Sequence, residues 1–376
     1  MHGERKKDMR IERVDTFPLF YRLSEPYGDA NGYKHYRTCY LLRVTTASGL
    51  TGWGECVDFL PLVDAGFKKR IIPYLIGKQA TDRLKITAVI KKWHQRAAAA
   101  VSMALTEITA KKAGLSICDI WGGKLRERIP VYASFQSYSD RPDWISHSLQ
   151  SVEKKVQEGF DTVKLKVGGR SFSEDAAHLD AFQELSEETI RFIIDANQSY
   201  DLAAARRWEH RLAAWRNLLW FEEPMPFDDL AEYRMLRLSS AFPIAGGENM
   251  KGAKQFLPLL LEHAVDIIQP DYVHGYGTDD FQSALKLARH FGRRVSPHSF
   301  DGALSRLYAA FGQACLSPWS KMDGEDIEPL EWDVMENPFT KIVDIQLKDG
   351  YLQVPDKIEV DTDLIKAYLW DGTNYG

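Results

Sequence analysis

From about residue 129 to residue 335, short apolar runs alternate with longer amphipathic stretches. The runs fall at 131–135, 162–167, 192–195, 220–223, 243–246, 266–269, 294–296 and 327–332. Between them lie segments such as DLAAARRWEHRLAAW and DDFQSALKLARHFG. Their apolar positions recur every three or four residues and predict helices. Strand–helix alternation predicts a parallel sheet, because parallel partners need a crossover long enough to hold a helix. Eight strands in about 200 residues predict a (β/α) barrel rather than an open sheet.

The first third has another rhythm. RVDTFPLF and TCYLLRVTTASGLTGWGEC predict strands, with a turn at Ser48 and Gly49. RAAAAVSMALTEITAKKAG predicts a helix ended by Gly114. The tail after Asn337 contains YLQVP and is expected to fold back on the N-terminal region. Residues 1 to about 9 read as a loose leader, without the apolar core of a secretory signal.

With 376 residues, 44% hydrophobic and 27% charged, the chain is expected to be soluble and to divide into two domains. A net charge of −5 gives no reason to expect a nucleic acid partner. No stretch approaches the roughly 18 apolar residues of a membrane span, so no membrane partner is expected and a cytoplasmic location is. Cys39, Cys56, Cys118 and Cys315 form no CxxC pair. They signal neither a zinc knuckle nor a disulfide framework.

The chemistry gathers at the ends of the predicted strands. In VKLKVGG, Lys164 and Lys166 stand two residues apart, so a strand aims both ammonium groups to one side. Later strands end in Asp195 with Asn197 beyond it, Glu222–Glu223, Glu248, Asp271 and His298. The eighth carries Glu328 and Glu331. In a parallel barrel these ends open on one face. A ring of buried like charges is costly unless something neutralises it. Asp195, Glu222 and Glu248 are three hard oxygen donors, which suit Mg²⁺, with Mn²⁺ as a substitute, better than Zn²⁺. Glu223 is expected to point the other way and support them. Lys166 and His298 flank the carboxylates as two candidate bases, with Asp271 orienting the histidine. Lys164 disfavours the charged form of Lys166 and can also hold a substrate carboxylate oxygen. This set suits removal of a proton α to a carboxylate. A divalent metal and ammonium groups offset the charge of the enediolate, and bases on both faces move protons.

These residues together resemble the enolase superfamily and, within it, the mandelate racemase subgroup. VKLKVG matches its KxK strand, and DANQSY, FEEP and GGEN its three metal-ligand strands. QPD with SPHS matches its Asp–His dyad, and IEPLEWDVMENP resembles its eighth-strand segment. The resemblance implies a (β/α)7β TIM-like barrel at 129–335, with an α+β capping domain from residues 1–128 and a returning segment at 336–376. It implies Asp195, Glu222 and Glu248 as Mg²⁺ ligands, Lys166 and His298–Asp271 as the acid/base groups, and Lys164 as electrophilic helper. It also implies assembly into a homo-oligomer. Glu331 is the better match to the family's eighth-strand glutamate, which binds the substrate carboxylate, with Glu328 the alternative.

The cap normally supplies specificity in such enzymes. A mobile loop at 24–36 is therefore expected to meet a polyhydroxylated substrate, and an ordinary surface loop is the other reading. Tyr27, Lys34 and Asn197 are the candidate substrate contacts; Trp53 reads as cap core. The leading expectation is dehydration of a sugar acid, an aldonate or aldarate, to a 2-keto-3-deoxy acid. The alternatives are a racemase or epimerase of a 2-hydroxy acid, and a catalytically inactive binding protein. Cycloisomerisation ranks lower, since it does not need a complete Asp–His dyad. The glycines of GYG at 275–277 do not complete a nucleotide fingerprint.

Overall fold

The computed structural model describes residues 9–186, 189–373 and 375. Residues 1–8, most of the expected leader, lie outside them. Three antiparallel strands, β1 (Ile11–Asp29), β2 (Gly32–Thr46) and β3 (Thr51–Cys56), open the chain. The long helix α1 (Gln95–Ala113) packs across β3. It is capped by the His94 ring, which accepts from the Ala97 amide, and it stops at Gly114 with φ 72°. Its backbone comes very close to the strand. A Cβ at Gly52 or Gly54 would fall about 2 Å from the carbonyl oxygen of Ala104 or Ala100.

The expected loop at 24–36 is corrected by the structure: it is the far end of the β1–β2 hairpin, with Tyr27 opposite Lys34 and Asp29 opposite Gly32. Pro26 cannot donate to a ladder, and the register slips between Arg22 and Tyr27, so a bulge takes it up. The turn closes through the Asn31 amide, which donates to Asp29 Oδ1 at 2.7 Å, and Gly32 takes φ 121°.

Among the described residues, eight strands run parallel around the second body. They are β4 (Arg128–Ser134), β5 (Thr162–Lys166), β6 (Arg191–Asp195), β7 (Leu218–Glu222), β8 (Ile244–Gly246), β9 (Ile267–Ile268), β10 (Arg294–Val295) and β11 (Leu330–Asp333). The first seven are followed in turn by α2 (Trp144–Gln157), α3 (Phe172–Ser186), α4 (Leu202–Leu212), α5 (Leu230–Ser239), α6 (Ala253–Leu261), α7 (Thr278–His290) and α8 (Ser305–Ala314). Each predicted run overlaps one strand. The pairing runs β4 through β10 in order, and β11 adds to the other side of β4. Side chains close the seam between β10 and β11. Ser296 Oγ donates to the Pro329 carbonyl at 2.8 Å, and Gln313 Nε2 donates to the Val295 and Glu328 carbonyls. The fold is thus a (β/α)7β barrel with an α+β cap.

The tail first adds a hairpin, β12 (Leu347–Lys348) and β13 (Tyr351–Gln353), to the start of β4. It then crosses to the cap, where Leu369 bridges Leu19 and the Trp370 amide donates to the Pro18 carbonyl. Glu55 of β3 locks the two bodies together: its buried carboxylate accepts from the amides of Ala303, Leu304 and Ser305 at the start of α8. No helix among the described residues is long and apolar enough to cross a membrane.

Candidate active site

Strand alternation builds the site directly above an apolar floor. Tyr132, Ile193, Trp220, Ala245 and Ile267 fill the barrel as one buried cluster. Two residues further along, the same inward face presents Ser134, Asp195, Glu222 and Gln269. On β5 the inward positions at these two levels, 164 and 166, are both lysines.

Lys164 Nζ lies 2.7 Å from Glu222 Oε1, 2.7 Å from Glu331 Oε1 and 3.4 Å from Asp195 Oδ2. Lys166 Nζ lies 2.5 Å from Asp195 Oδ2 and 3.1 Å from Asn197 Oδ1. Burial pulls both ammonium groups toward the neutral form. For Lys164, the charges of Glu222 and Glu331 outweigh it and raise the pKa well above the usual lysine value. For Lys166 the neighbouring Lys164 does act downward, as expected, but Asp195 wins and the net shift is upward. With carboxylates this close, both lysines are held as cations.

Asp195, Glu222 and Glu248 each place a carboxylate oxygen within 4.8 Å of the others. Gln269 Nε2 and Trp220 Nε1 hold Glu222 Oε2, at 2.7 and 3.2 Å. Glu223 turns away, with φ 39°. Its carboxylate accepts from Gln198 Nε2 at 2.6 Å and from the Gly247 amide at 2.9 Å, one residue before Glu248. It therefore fixes the segment that carries Glu248. Three converging carboxylates with no sulfur or nitrogen donor fit a hard divalent cation.

Asp271, His274 and His298 form a second group within similar reach, but the Nδ1 of each ring is already engaged. His298 Nδ1 donates to Asp271 Oδ2 at 2.6 Å, and His274 Nδ1 bonds the Glu248 carbonyl at 3.1 Å. The Val273 and His274 amides donate to the other Asp271 oxygen. His298 Nε2 is left facing Glu248 Oε2 at 3.3 Å and Glu331 Oε2 at 3.6 Å. Burial opposes its protonation, but Glu248, Glu331 and Asp271 raise its pKa well above the usual value.

The structure brings Glu331, not Glu328, into this group. Glu331 accepts from Ser134 Oγ at 2.7 Å and the Ser299 amide at 2.9 Å. Glu328 lies beyond the seam beside Arg294, at 3.5 Å. Lys166, Asn197, Glu248 and His298 line a cavity of about 300 Å³ roofed by the cap hairpin, and Lys34 reaches its wall. There Lys34 Nζ is paired with Asp301, at 3.0 Å. Tyr27 is not among the residues lining it. Its ring packs under the Arg37 guanidinium, and its hydroxyl donates to the Glu336 carbonyl at 3.4 Å. Trp53 is buried on the face of the cap whose core continues into the barrel, not in the cap's separate core. A larger groove of about 590 Å³ beside Trp332 and Asp361 holds none of these groups. The sequence reading had Asp29 only among the polar side chains of segment 24–36, and it missed Gln136, His274 and Asp301 on the cavity wall. Their only sequence signal is a place just past a strand end or in a hairpin turn.

The comparisons agree with this fold. A family model described as "Enolase C-terminal domain-like" matches residues 148–363. One described as "Mandelate racemase / muconate lactonizing enzyme, N-terminal domain" matches residues 16–122. A D-galactarolactone cycloisomerase of Agrobacterium fabrum is 29% identical, over 96% of this chain and 99% of its own length. An arabinonate dehydratase of Saccharolobus solfataricus is 27% identical, over 92% of this chain and 95% of its own. The crystal structure of an enolase superfamily member from Polaromonas superposes with a TM-score of 0.84 at 25% identity, covering 98% of this chain and 100% of that one.

Proposed function

Since the chain belongs to the mandelate racemase/muconate lactonizing enzyme family of the enolase superfamily, we propose that it abstracts the proton α to a carboxylate and dehydrates a sugar acid to a 2-keto-3-deoxy acid. One observation carries this reading. Lys166 on β5 and His298 after β10 approach a single cavity from opposite sides of the Asp195, Glu222 and Glu248 carboxylates. A divalent cation held by those three side chains, Mg²⁺ with Mn²⁺ as substitute, supplies Lewis-acid stabilisation of negative charge on the substrate carboxylate.

The chain's own groups do the rest. Lys164 offers its ammonium to a carboxylate oxygen where enediolate charge develops. Glu331, fixed by Ser134 and the Ser299 amide, meets the other carboxylate oxygen through a shared proton. Lys166 takes the α-proton as the neutral amine, having first lost its own proton to solvent once Asp195 no longer holds it as the ammonium. His298, its Nδ1 proton fixed by Asp271, presents a protonated Nε2 to the β-hydroxyl. That proton leaves with the hydroxyl as water, and the enol product tautomerises to the keto acid.

The test is a panel of sugar acids with the magnesium-loaded enzyme. The product should be 18 mass units lighter than its substrate, an estimate from the loss of one water, and should react with semicarbazide. No keto acid from any member, with metal bound, would sink the proposal. The full-length likeness to a D-galactarolactone cycloisomerase favours a second reading, isomerisation of a sugar-acid lactone. Its product would keep the substrate's mass. A racemase would exchange the α-proton in D₂O and invert the centre without either change.

A further inference from the structure

The cavity wall away from the metal-binding carboxylates is short of free cations and rich in hydrogen-bond acceptors. Gln136 stands two residues past the end of β4, is 7% exposed and lines the cavity. No hydrogen bond joins its amide to another described residue, and its Oε1 is buried without a partner. A buried carbonyl oxygen left this way is costly, and a ligand hydroxyl that donates to it removes the cost. A vicinal diol does so, one hydroxyl donating to the carbonyl and the other accepting from the NH₂.

Asp29 adds a carboxylate at the hairpin turn. The Asn31 amide takes only its Oδ1. Asp301 adds another, already bound by Lys34 at 3.0 Å and Arg37 at 2.5 Å. Among the described residues on the cavity wall, both ammonium groups are committed, Lys34 to Asp301 and Lys166 to Asp195. A second carboxylate on a substrate would face Asp29 and Asp301 and would have to take Lys34 from its partner. A hydroxyl would meet acceptors instead.

We propose that the substrate is a monocarboxylic polyhydroxy acid, an aldonate rather than an aldarate, with Gln136 reading a vicinal diol and Asp29 rejecting a second carboxylate. This inference rests on the sugar-acid reading above. The test compares matched five- and six-carbon aldonates and aldarates with the magnesium-loaded enzyme, scoring keto-acid formation and α-deuteron incorporation in D₂O. The best aldonate should exceed its matched aldarate in kcat/KM by about 100-fold. Gln136→Met should raise KM for that aldonate about tenfold, with kcat changed less. Asp29→Asn should narrow the aldonate-to-aldarate ratio about tenfold, a charge-specific readout that a structural role would not move. If Gln136→Met does not fold, Asp29→Asn on the half-buried turn carries the test alone. A preferred aldarate, an unchanged KM in folded Gln136→Met, or an unmoved ratio in Asp29→Asn overturns this inference and leaves the dehydratase reading standing. No product and no exchange with any acid overturns both.

Discussion

Two ion-pair clusters, one partly exposed and one buried, differ in charge balance. Where cap meets barrel, Lys34 and Arg37 from β2 face Asp301 and Asp333 from the barrel, two cations against two anions. The Arg37 guanidinium lies over the Phe300 ring, and its Nε donates to the Glu336 carbonyl. This cluster is complete. At the barrel mouth, five carboxylates, Asp195, Glu222, Glu248, Glu331 and Asp271, face three cations, Lys164, Lys166 and the His298 imidazolium, formally two negative charges in excess. That excess equals the charge of one divalent cation. The balanced cluster holds two bodies together; the unbalanced one is built for something that arrives.

Neutralising a residue in each cluster should therefore have opposite consequences. Glu248 makes no lysine contact, so Glu248→Gln removes excess charge without breaking a Lys–carboxylate pair. It should lower kcat/KM by about 10⁴-fold, roughly 5.5 kcal/mol of transition-state stabilisation. Its metal-free stability should stay level or rise. Steady-state kinetics beside urea unfolding in EDTA measure both; a large loss of metal-free stability would erase the contrast. Arg37→Met should do the reverse. It leaves Asp333 with the Asn337 amide, the Met335 N–H and the charge of Arg306 but no paired cation, and Asp301 with Lys34 alone, at a cost of about 3 kcal/mol read by urea unfolding. A shift below about 1 kcal/mol would mean that the latch contributes no more than a surface pair.

Metal linkage sharpens the same contrast at a smaller scale. Magnesium at about 100 times its Kd should add about 2.7 kcal/mol to the unfolding free energy of the parent protein. It should add nothing to Glu248→Gln and its full increment to Arg37→Met. Equal stabilisation of all three would place the ion elsewhere.

Most of the unbalanced cluster was legible in the sequence because ionisable groups stand out at the ends of apolar runs. Even the two-residue strand Ile267–Ile268 was marked by the QPD that follows it. The rest was hidden for identifiable reasons. Gln136 is neutral, so the first barrel strand carried no charge to flag it. Asp301 looks like any loop aspartate until β2 places Arg37 and Lys34 against it. Segment 24–36 reads as a loop because Pro26 and two glycines interrupt the alternation. The fold keeps the ladder by placing a bulge between Arg22 and Tyr27. Asn31–Gly32, a hairpin-turn signal, was the available clue. Glu328 and Glu331 could not be separated without the β11 register, which sets Glu331 beside the inward-facing Tyr132.

Glu328 supplies the last test, since it is a buried carboxylate outside both clusters. Burial raises its pKa to about 7, against the opposing pull of Arg289 and Arg294, and its Oε2 has no hydrogen-bond partner. The folded state thus holds this proton more tightly than the unfolded chain does. Between the ordinary glutamate value and about 7, the native protein binds more protons than the unfolded one, and stability falls as pH rises. Below that window the group is protonated in both states and costs nothing; above it the full cost applies. Glu328→Gln should accordingly leave stability at pH 4 nearly unchanged and raise it by about 2 kcal/mol at pH 8, after allowing for burial of the new amide. Urea unfolding at the two pH values measures it. A gain equal at both would assign the effect to packing, and a loss at pH 8 would mean that the arginines hold Glu328 as a working ion pair, making it a third balanced site.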